Sequence, residues 1–152
     1  MKSKIVSKSL KMVLAYGIVD DNLKYLLEAS SKYDFIVRQV MPSELDIKVS
    51  QLLKVAQLNL EQYPLNCDRC ILMVNFDNST MDKLLKYLKS KNVDIPLKSV
   101  LTPTNKSWSF NKLLNDLNLE HQRFSKSWYK NKSSIVLDLS FFRKDILWKI
   151  NY

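Results

Sequence analysis

The sequence predicts an α/β fold, a four-stranded and mainly parallel sheet with helices on both faces. Short apolar runs typical of buried strands alternate along the chain with segments whose apolar residues recur at helical spacing. The same order occurs twice, and a shift of 61 residues places Pro42 over Pro103 and Leu52-Leu53 over Leu113-Leu114. A chain of 152 residues with 46% hydrophobic content is long enough to bury one core of its own.

The first half predicts two strands and two helices. An apolar strand over residues 11–16 ends at Gly17, and Asp20 or Asp21 can cap the helix that follows. A second strand, over residues 35–40, is closed by a proline. The second helix carries apolar residues from position 47 to position 56 and fades near Tyr63-Pro64.

The second half repeats this order. Residues 70–76 are the strongest strand, Ser79 or Thr80 can cap the third helix, and residues 97–101 form the fourth strand. The fourth helix starts near Phe110 and runs past His121. We expect the strand order 2-1-3-4, as in flavodoxin, with the third strand in the interior because its continuous apolar run suits burial on both faces. A ferredoxin-like sheet with antiparallel pairing is the alternative.

One domain over residues 10–124 is expected, made of two pseudo-repeats, 10–63 and 70–124. Residues 1–9 form a basic N-terminal tail and residues 125–152 a basic C-terminal extension. Within the extension, apolar residues alternate with polar ones from Ile135 to Phe141 and again from Ile146 to Tyr152, which indicates a β-hairpin.

The net charge of +9 is concentrated at the two ends of the chain. Residues 1–11 carry +4 and residues 126–152 carry +4, which leaves +1 for residues 12–125. Solvated basic ends are common. The alternative is that these ends contact the phosphates of a nucleic acid.

The sequence favours a cytoplasmic protein without a membrane partner. The apolar run over residues 12–19 is short and stops at Asp20-Asp21, and no stretch approaches the roughly 20 apolar residues that span a bilayer. Cys67 and Cys70 are too few for the disulfide scaffold of a secreted protein.

Catalytic, cofactor and metal sites find little support. A single glycine, Gly17, excludes a phosphate-binding loop and a dinucleotide fingerprint. Cys67 and Cys70 form a C-x-x-C motif that leads into a strand, so the helix N-terminus that activates a redox thiol is missing. His121 is the single histidine, which leaves a zinc site short of ligands and a catalytic triad without support. We therefore lean against an enzyme and expect no catalytic residue, no cofactor and no metal.

Four polar residues at predicted strand ends deserve comparison with a magnesium site. Asp20, Asp21, Asp77 and Thr102 would approach one another if the carboxyl ends of their strands shared one edge of the sheet. Helix capping explains the three carboxylates equally well, and we favour capping.

The candidate binding site lies in the segment "IPLKSVLTPTNKSWSF", residues 95–110. Its site residues are Thr102, Pro103, Thr104, Asn105 and Trp108, at the exit of the fourth strand and beside the start of a helix. Hydroxyls, an amide, free helix N–H groups and an indole suit a protein partner or a small anionic or amide-bearing ligand. Turn formation, capping and packing use the same residue types, so a purely structural role is the competing interpretation. The function expected is that of a non-enzymatic binding or regulatory domain.

The same segment carries a family resemblance. Residues 96–105 with Trp108 and the closing Glu120-His121 resemble the bacterial family of domains of unknown function numbered thirty-seven eighty-three. The stretches "VLAYGIVDDNLKYL" and "ILMVNFDNSTMDKLLKYL" are similar to other blocks of that family. The resemblance implies a compact α/β domain over residues 12–124 and no established activity.

Overall fold

A four-stranded sheet with helices on both faces organises the part of the chain that the computed structural model describes, residues 10–56 and 60–131, with side chains through residue 123. In chain order the elements are β1 (Met12–Tyr16), α1 (Asp20–Tyr33), β2 (Ile36–Gln39), 3₁₀ turn A (Pro42–Glu44), α2 (Val49–Leu52), β3 (Cys70–Val74), α3 (Asn78–Ser90), β4 (Leu97–Val100), 3₁₀ turn B (Asn105–Ser107) and α4 (Phe110–Asn131). The predicted hairpin over residues 135–152 and the basic tail 1–9 lie outside the described residues. Across the described ranges, no helix combines the length and the apolar character that crossing a membrane requires.

The strand order is β2-β1-β3-β4, which confirms the predicted order and the interior position of β3. β1 pairs with β2 in parallel, and β3 pairs with β4 in parallel. The central pair is antiparallel, with Leu14 of β1 opposite Leu72 of β3, so the sheet is mixed although mostly parallel. The carboxyl ends of β1 and β2 therefore lie at one edge of the sheet, and those of β3 and β4 at the opposite edge.

Two hydrophobic clusters lie on the two faces of the sheet. Alternate strand residues divide between them because successive side chains of a strand point to opposite faces. Val13 and Ile71 pack under α1 and α3, whereas Leu14 and Leu72 pack against α2 and α4. All five residues of β3 are buried, as expected for an interior strand covered on both faces.

The helix starts match the predicted caps only in part. No side chain caps α1, so the expected capping by Asp20 or Asp21 is wrong. Asp77 caps α3, since its Oδ2 accepts a hydrogen bond of 3.2 Å from the backbone N–H of Thr80. Ser79 and Thr80, the caps expected from the sequence, lie inside the first turn of that helix.

α2 is a single turn, far shorter than the helix predicted over residues 47–56, and an ion pair made by a buried arginine explains part of the difference. The guanidinium of Arg38, a residue only 5% exposed, binds both carboxylate oxygens of Glu44 at 2.7 and 2.8 Å. Its Nε donates to the carbonyl of Val55 over 3.1 Å. The chain after β2 is thus held by hydrogen bonds to one side chain of β2, in place of a continuous helical ladder.

Besides the pairing of β1 with β3, the two halves of the chain contact each other through a second pair of reciprocal hydrogen bonds. The N–H of Val49 donates to the carbonyl of Trp108 over 2.9 Å, and the N–H of Phe110 donates to the carbonyl of Ile47 over 3.1 Å. These residues are equivalent at the shift of 61 positions. Reciprocal bonds between equivalent positions are what an approximate two-fold arrangement of the halves produces.

The same shift does not hold for the first helices. At a spacing of 61, Leu27 matches Leu88, yet Leu27 is 46% exposed and Leu88 only 2%. At a spacing of 58, Leu26 matches Leu84, and both are fully buried. The internal duplication therefore stays a prediction, with a connection before β2 and β4 that differs in length between the halves.

Candidate functional site

Turn B follows β4 after residues 101–104, at the edge of the sheet where β3 and β4 end. Thr102 and Asn105 bind each other reciprocally across its start. The N–H of Thr102 donates to Oδ1 of Asn105 over 2.9 Å, and the N–H of Asn105 donates to Oγ1 of Thr102 over 3.1 Å. This arrangement corresponds to a capping box, with both side chains satisfying backbone donors at the start of a helical turn.

Asn105 has a further partner that ties the turn to the sheet. Its Nδ2 donates to the carbonyl of Val100, the last residue of β4, over 3.0 Å. The residue is 6% exposed, so its amide is used within the chain. Among the five predicted site residues, Thr102 and Asn105 thus hold the turn in shape.

The other predicted members face outward. Pro103 and Thr104 are exposed, as are Lys106 and Ser107 within the turn. The carbonyl of Thr104 accepts a hydrogen bond of 3.3 Å from the hydroxyl of Ser107. The turn region therefore exposes the ring of Pro103, the hydroxyl of Thr104 and the ammonium group of Lys106, and the hydrogen bonds of Thr102 and Asn105 fix the backbone that carries them.

Trp108 closes the turn and is half-buried. Its ring packs against the hydrophobic cluster of α2 and α4, and the ammonium of Lys112 lies 4.4 Å from the ring centroid. Ser109 caps α4 by accepting from the N–H of Lys112 over 3.1 Å.

Two clefts open at the two edges of the sheet. A cleft of about 350 Å³ lies at the ends of β3 and β4, lined by Met73, Asn75, Phe76, Asn78, Met81, Val100 and Leu101. A larger cleft of about 630 Å³ lies beyond the end of β1, lined by Gly17, Val19, Asp20, residues 62–67 and Arg69. The smaller cleft shares Val100 and Leu101 with the approach to turn B, so it adjoins the predicted site.

The carboxylates compared with a magnesium site do not come together. Asp20 and Asp21 follow β1, and Asp77 follows β3, which places them at opposite edges of the sheet. Hydrogen bonds from Thr80 hold the pKa of Asp77 well below its usual range, and Lys11 lies 3.3 Å from its Oδ1. Within the described ranges, no group of histidine, cysteine and acidic side chains is arranged to hold a metal ion.

Both thiols are free, and their surroundings disfavour the thiolate. Cys70 is fully buried in β3, and burial raises the pKa of its thiol. Burial also raises the pKa of the half-buried Cys67, with the charge of Asp68 adding to the effect. Because the thiolate is the reactive form, these environments work against nucleophilic or redox chemistry.

His121 lies within α4, ten residues before its last residue, Asn131. Its side chain is half-buried. Among the described side chains, its Nδ1 is a buried atom without a hydrogen-bond partner. A packing role fits this position.

Lys98 is a buried cation that the sequence did not single out. It lies in β4 opposite Ile71 of β3 and is 2% exposed. Burial lowers the pKa of its ammonium group to about 8, with the charge of Asp94 acting in the opposite direction. The folded protein therefore binds this proton less tightly than an unfolded chain does, and the contribution of Lys98 to stability rises as the pH increases from about 8 towards 10.5.

Comparison with known proteins gives one match. The family model described as a domain of unknown function (DUF3783) matches residues 69–124, which run from the start of β3 into α4 and include turn B. No curated protein and no solved structure matches the chain. The match supports the resemblance over the second half and does not extend to the first, where the resemblance had also been expected. Over residues 69–124, the chain is similar to the DUF3783 family.

Proposed function

We propose that this protein is a non-enzymatic binding domain whose contact surface is built on turn B. That surface, the turn B surface, consists of Pro103, Thr104, Lys106, Trp108 and Lys112. One observation carries the proposal: Thr102 and Asn105 fix the turn through three hydrogen bonds of 2.9, 3.0 and 3.1 Å, while the intervening side chains stay exposed.

A fixed turn is well suited to recognition. Loops carry binding residues more often than the elements they connect, and a loop that is already ordered loses little conformational entropy when a partner binds. Here the ordering is supplied by a buried amide bonded to β4. Binding would therefore not have to form the turn.

The exposed groups indicate the chemistry of the ligand. Lys106 and Lys112 offer two ammonium groups, Thr104 offers a hydroxyl, and the indole of Trp108 offers an apolar edge. This combination fits a carboxylate, phosphate or amide group attached to an apolar body, on a small molecule or on a protein.

A thermal-shift screen with small carboxylates, phosphates and amides tests the proposal. A compound that raises the melting temperature of the wild type should lose its effect on the Thr104→Ala/Lys106→Ala variant. Lys54→Ala, which removes an exposed lysine outside the turn B surface, is the matched control and should respond as the wild type does. An unchanged response of the double variant to every active compound would contradict the turn B surface.

The alternative function, contact of the basic ends with nucleic-acid phosphates, stays a prediction. It depends on residues 1–11 and 126–152, most of which lie outside the described residues. A cytoplasmic location also belongs to the proposal, and the free state of Cys67 and Cys70 supports it because disulfides are rare in reducing compartments.

A further inference from the structure

A cluster of tyrosines lies between α1 and α3, on the face of the sheet opposite turn B. Tyr25 and Tyr33 come from α1 and Tyr87 from α3, and all three are half-buried. The rings of Tyr33 and Tyr87 meet edge to face with centroids 6.1 Å apart. The hydroxyl of Tyr87 donates to Glu28 over 3.1 Å, which fixes the ring between the helices.

Lysine ammonium groups lie beside each of these rings. Lys32 is 5.8 Å from the centroid of Tyr33 and 5.3 Å from that of Tyr87. Lys91 is 5.7 Å from the centroids of both Tyr25 and Tyr87. With Lys24 at 5.6 Å from the centroid of Tyr25, every ring of the cluster has an exposed cation within 6 Å, and Tyr25 and Tyr87 have two each.

The surrounding surface is strongly basic. Residues 24–33 and 83–91 contain six lysines and one acidic residue, Glu28, a net charge of +5. All six lysines are exposed: Lys24, Lys32, Lys83, Lys86, Lys89 and Lys91. Residues 12–125 as a whole carry only +1, so the residues of that span outside 24–33 and 83–91 have a net negative charge. The positive charge of the span is therefore concentrated in these two segments. We call residues 24–33 and 83–91 the Tyr–Lys face.

We propose that the Tyr–Lys face binds single-stranded nucleic acid. Such strands combine phosphates with bases whose flat faces stack on aromatic rings, and proteins that bind them interleave cations with aromatics. In the Tyr–Lys face, a base could stack on a tyrosine ring while the lysine beside that ring contacts the phosphate of the same nucleotide. A purely acidic protein partner would use the lysines and leave the three rings without a role, so the nucleic acid fits better.

The indole of Trp108 does not offer the same arrangement. Its ring already carries the ammonium of Lys112 at 4.4 Å and packs against the hydrophobic cluster of α2 and α4. The lysines of the Tyr–Lys face lie farther from their ring centroids, at 5.3 to 5.8 Å. The inference is therefore independent of the turn B surface and concerns the opposite face of the sheet.

Fluorescence anisotropy with a labelled oligothymidine of about 15 nucleotides tests the inference on the full-length chain. If the face contacts about four phosphates, affinity should fall about 50-fold between about 50 and 200 mM salt. The Lys32→Glu/Lys91→Glu variant should bind at least about tenfold more weakly at the lower salt, with a shallower salt dependence. Lys48→Glu/Lys54→Glu makes the same change of charge at exposed lysines outside the Tyr–Lys face and the turn B surface, and it controls for the overall charge and for the basic ends.

A second variant separates stacking from charge. Tyr25→Leu keeps every lysine and should weaken oligothymidine binding at least about fivefold, without altering binding of polyglutamate. Circular dichroism and melting confirm that each variant is folded. Absence of binding by the wild type at low salt, equal losses in the two charge variants, or an unchanged affinity of Tyr25→Leu would each overturn the proposal, and the last result would assign the face to an acidic protein.

Discussion

Replacing Asn105 with alanine should destabilise the fold by about 2–4 kcal/mol, because each hydrogen-bonding group left unpaired in a buried place costs about 1–3 kcal/mol. The substitution removes the acceptor of the Thr102 N–H at 2.9 Å and the donor to the Val100 carbonyl at 3.0 Å. The residue is 6% exposed, so water compensates little. A lost helix cap alone would cost about 1 kcal/mol, which the measurement can distinguish.

Urea melts of the wild type and three variants provide the assay. Thr104→Ala truncates an exposed side chain in the same turn and should change stability by less than about 0.5 kcal/mol. Asn105→Asp keeps the acceptor for Thr102 but faces the carbonyl of Val100 with a carboxylate, so its protonated form should be favoured in the fold. Its stability should therefore improve relative to wild type as the pH falls. A loss of 1 kcal/mol or less for Asn105→Ala would refute the structural role assigned to this amide.

Three further substitutions test the packing. Lys98→Met should stabilise the protein by about 3 kcal/mol at pH 7, with the advantage shrinking from pH 8 to pH 10.5, whereas a pH-independent difference would contradict a buried ammonium. Burial also raises the pKa of the Cys70 thiol, so alkaline pH lowers the stability of the wild type and of Lys98→Met alike. Only the difference in stability between the two proteins therefore reports on Lys98. Gly17→Ala should cost about 3 kcal/mol or more in denaturant melts, since φ is +73° and the new Cβ would lie 2.0 Å from the carbonyl oxygen of Asp68; a cost below about 1 kcal/mol would show that the turn can shift. Trp108→Ala should cost about 2 kcal/mol, less than a fully buried aromatic, and a silent substitution in the same melts would make the indole a contact residue alone.

The sequence was informative about which segments are strands and how they are ordered. β3 reads as an interior strand because all five residues are apolar, and it is buried on both faces. Strand direction could not be read, because a run buried on both faces has the same pattern in either direction. The connection over residues 40–69 is long enough to return the chain either way, so the antiparallel pairing of β1 with β3 appears only in the structure.

Polar residues inside the fold were harder to foresee. Arg38 and Lys98 occupy the two outer strands, where a charged residue ordinarily indicates an exposed position, and both are buried. The sequence did carry a signal for turn B, since a threonine followed three residues later by an amide resembles a capping box, as Thr102 and Asn105 prove to be.

The charge of the Tyr–Lys face was missed for a different reason. The charge count over residues 12–125 adds the +5 of this face to the net negative charge of the other segments, and the total is only +1. The face is formed by two segments about 50 residues apart in sequence, and only the packing of α1 against α3 brings their lysines onto one surface.

Backbone amide mapping by NMR tests the proposed function most directly. The ¹⁵N-labelled protein would be titrated with the strongest compound from the thermal-shift screen. We predict that the largest shift changes fall on residues 104–108 and Lys112, and that they disappear in Thr104→Ala/Lys106→Ala while the rest of the spectrum is kept. Changes centred instead on Gly17, Asp20 and Cys67, around the cleft at the end of β1, would contradict the turn B surface as the binding site.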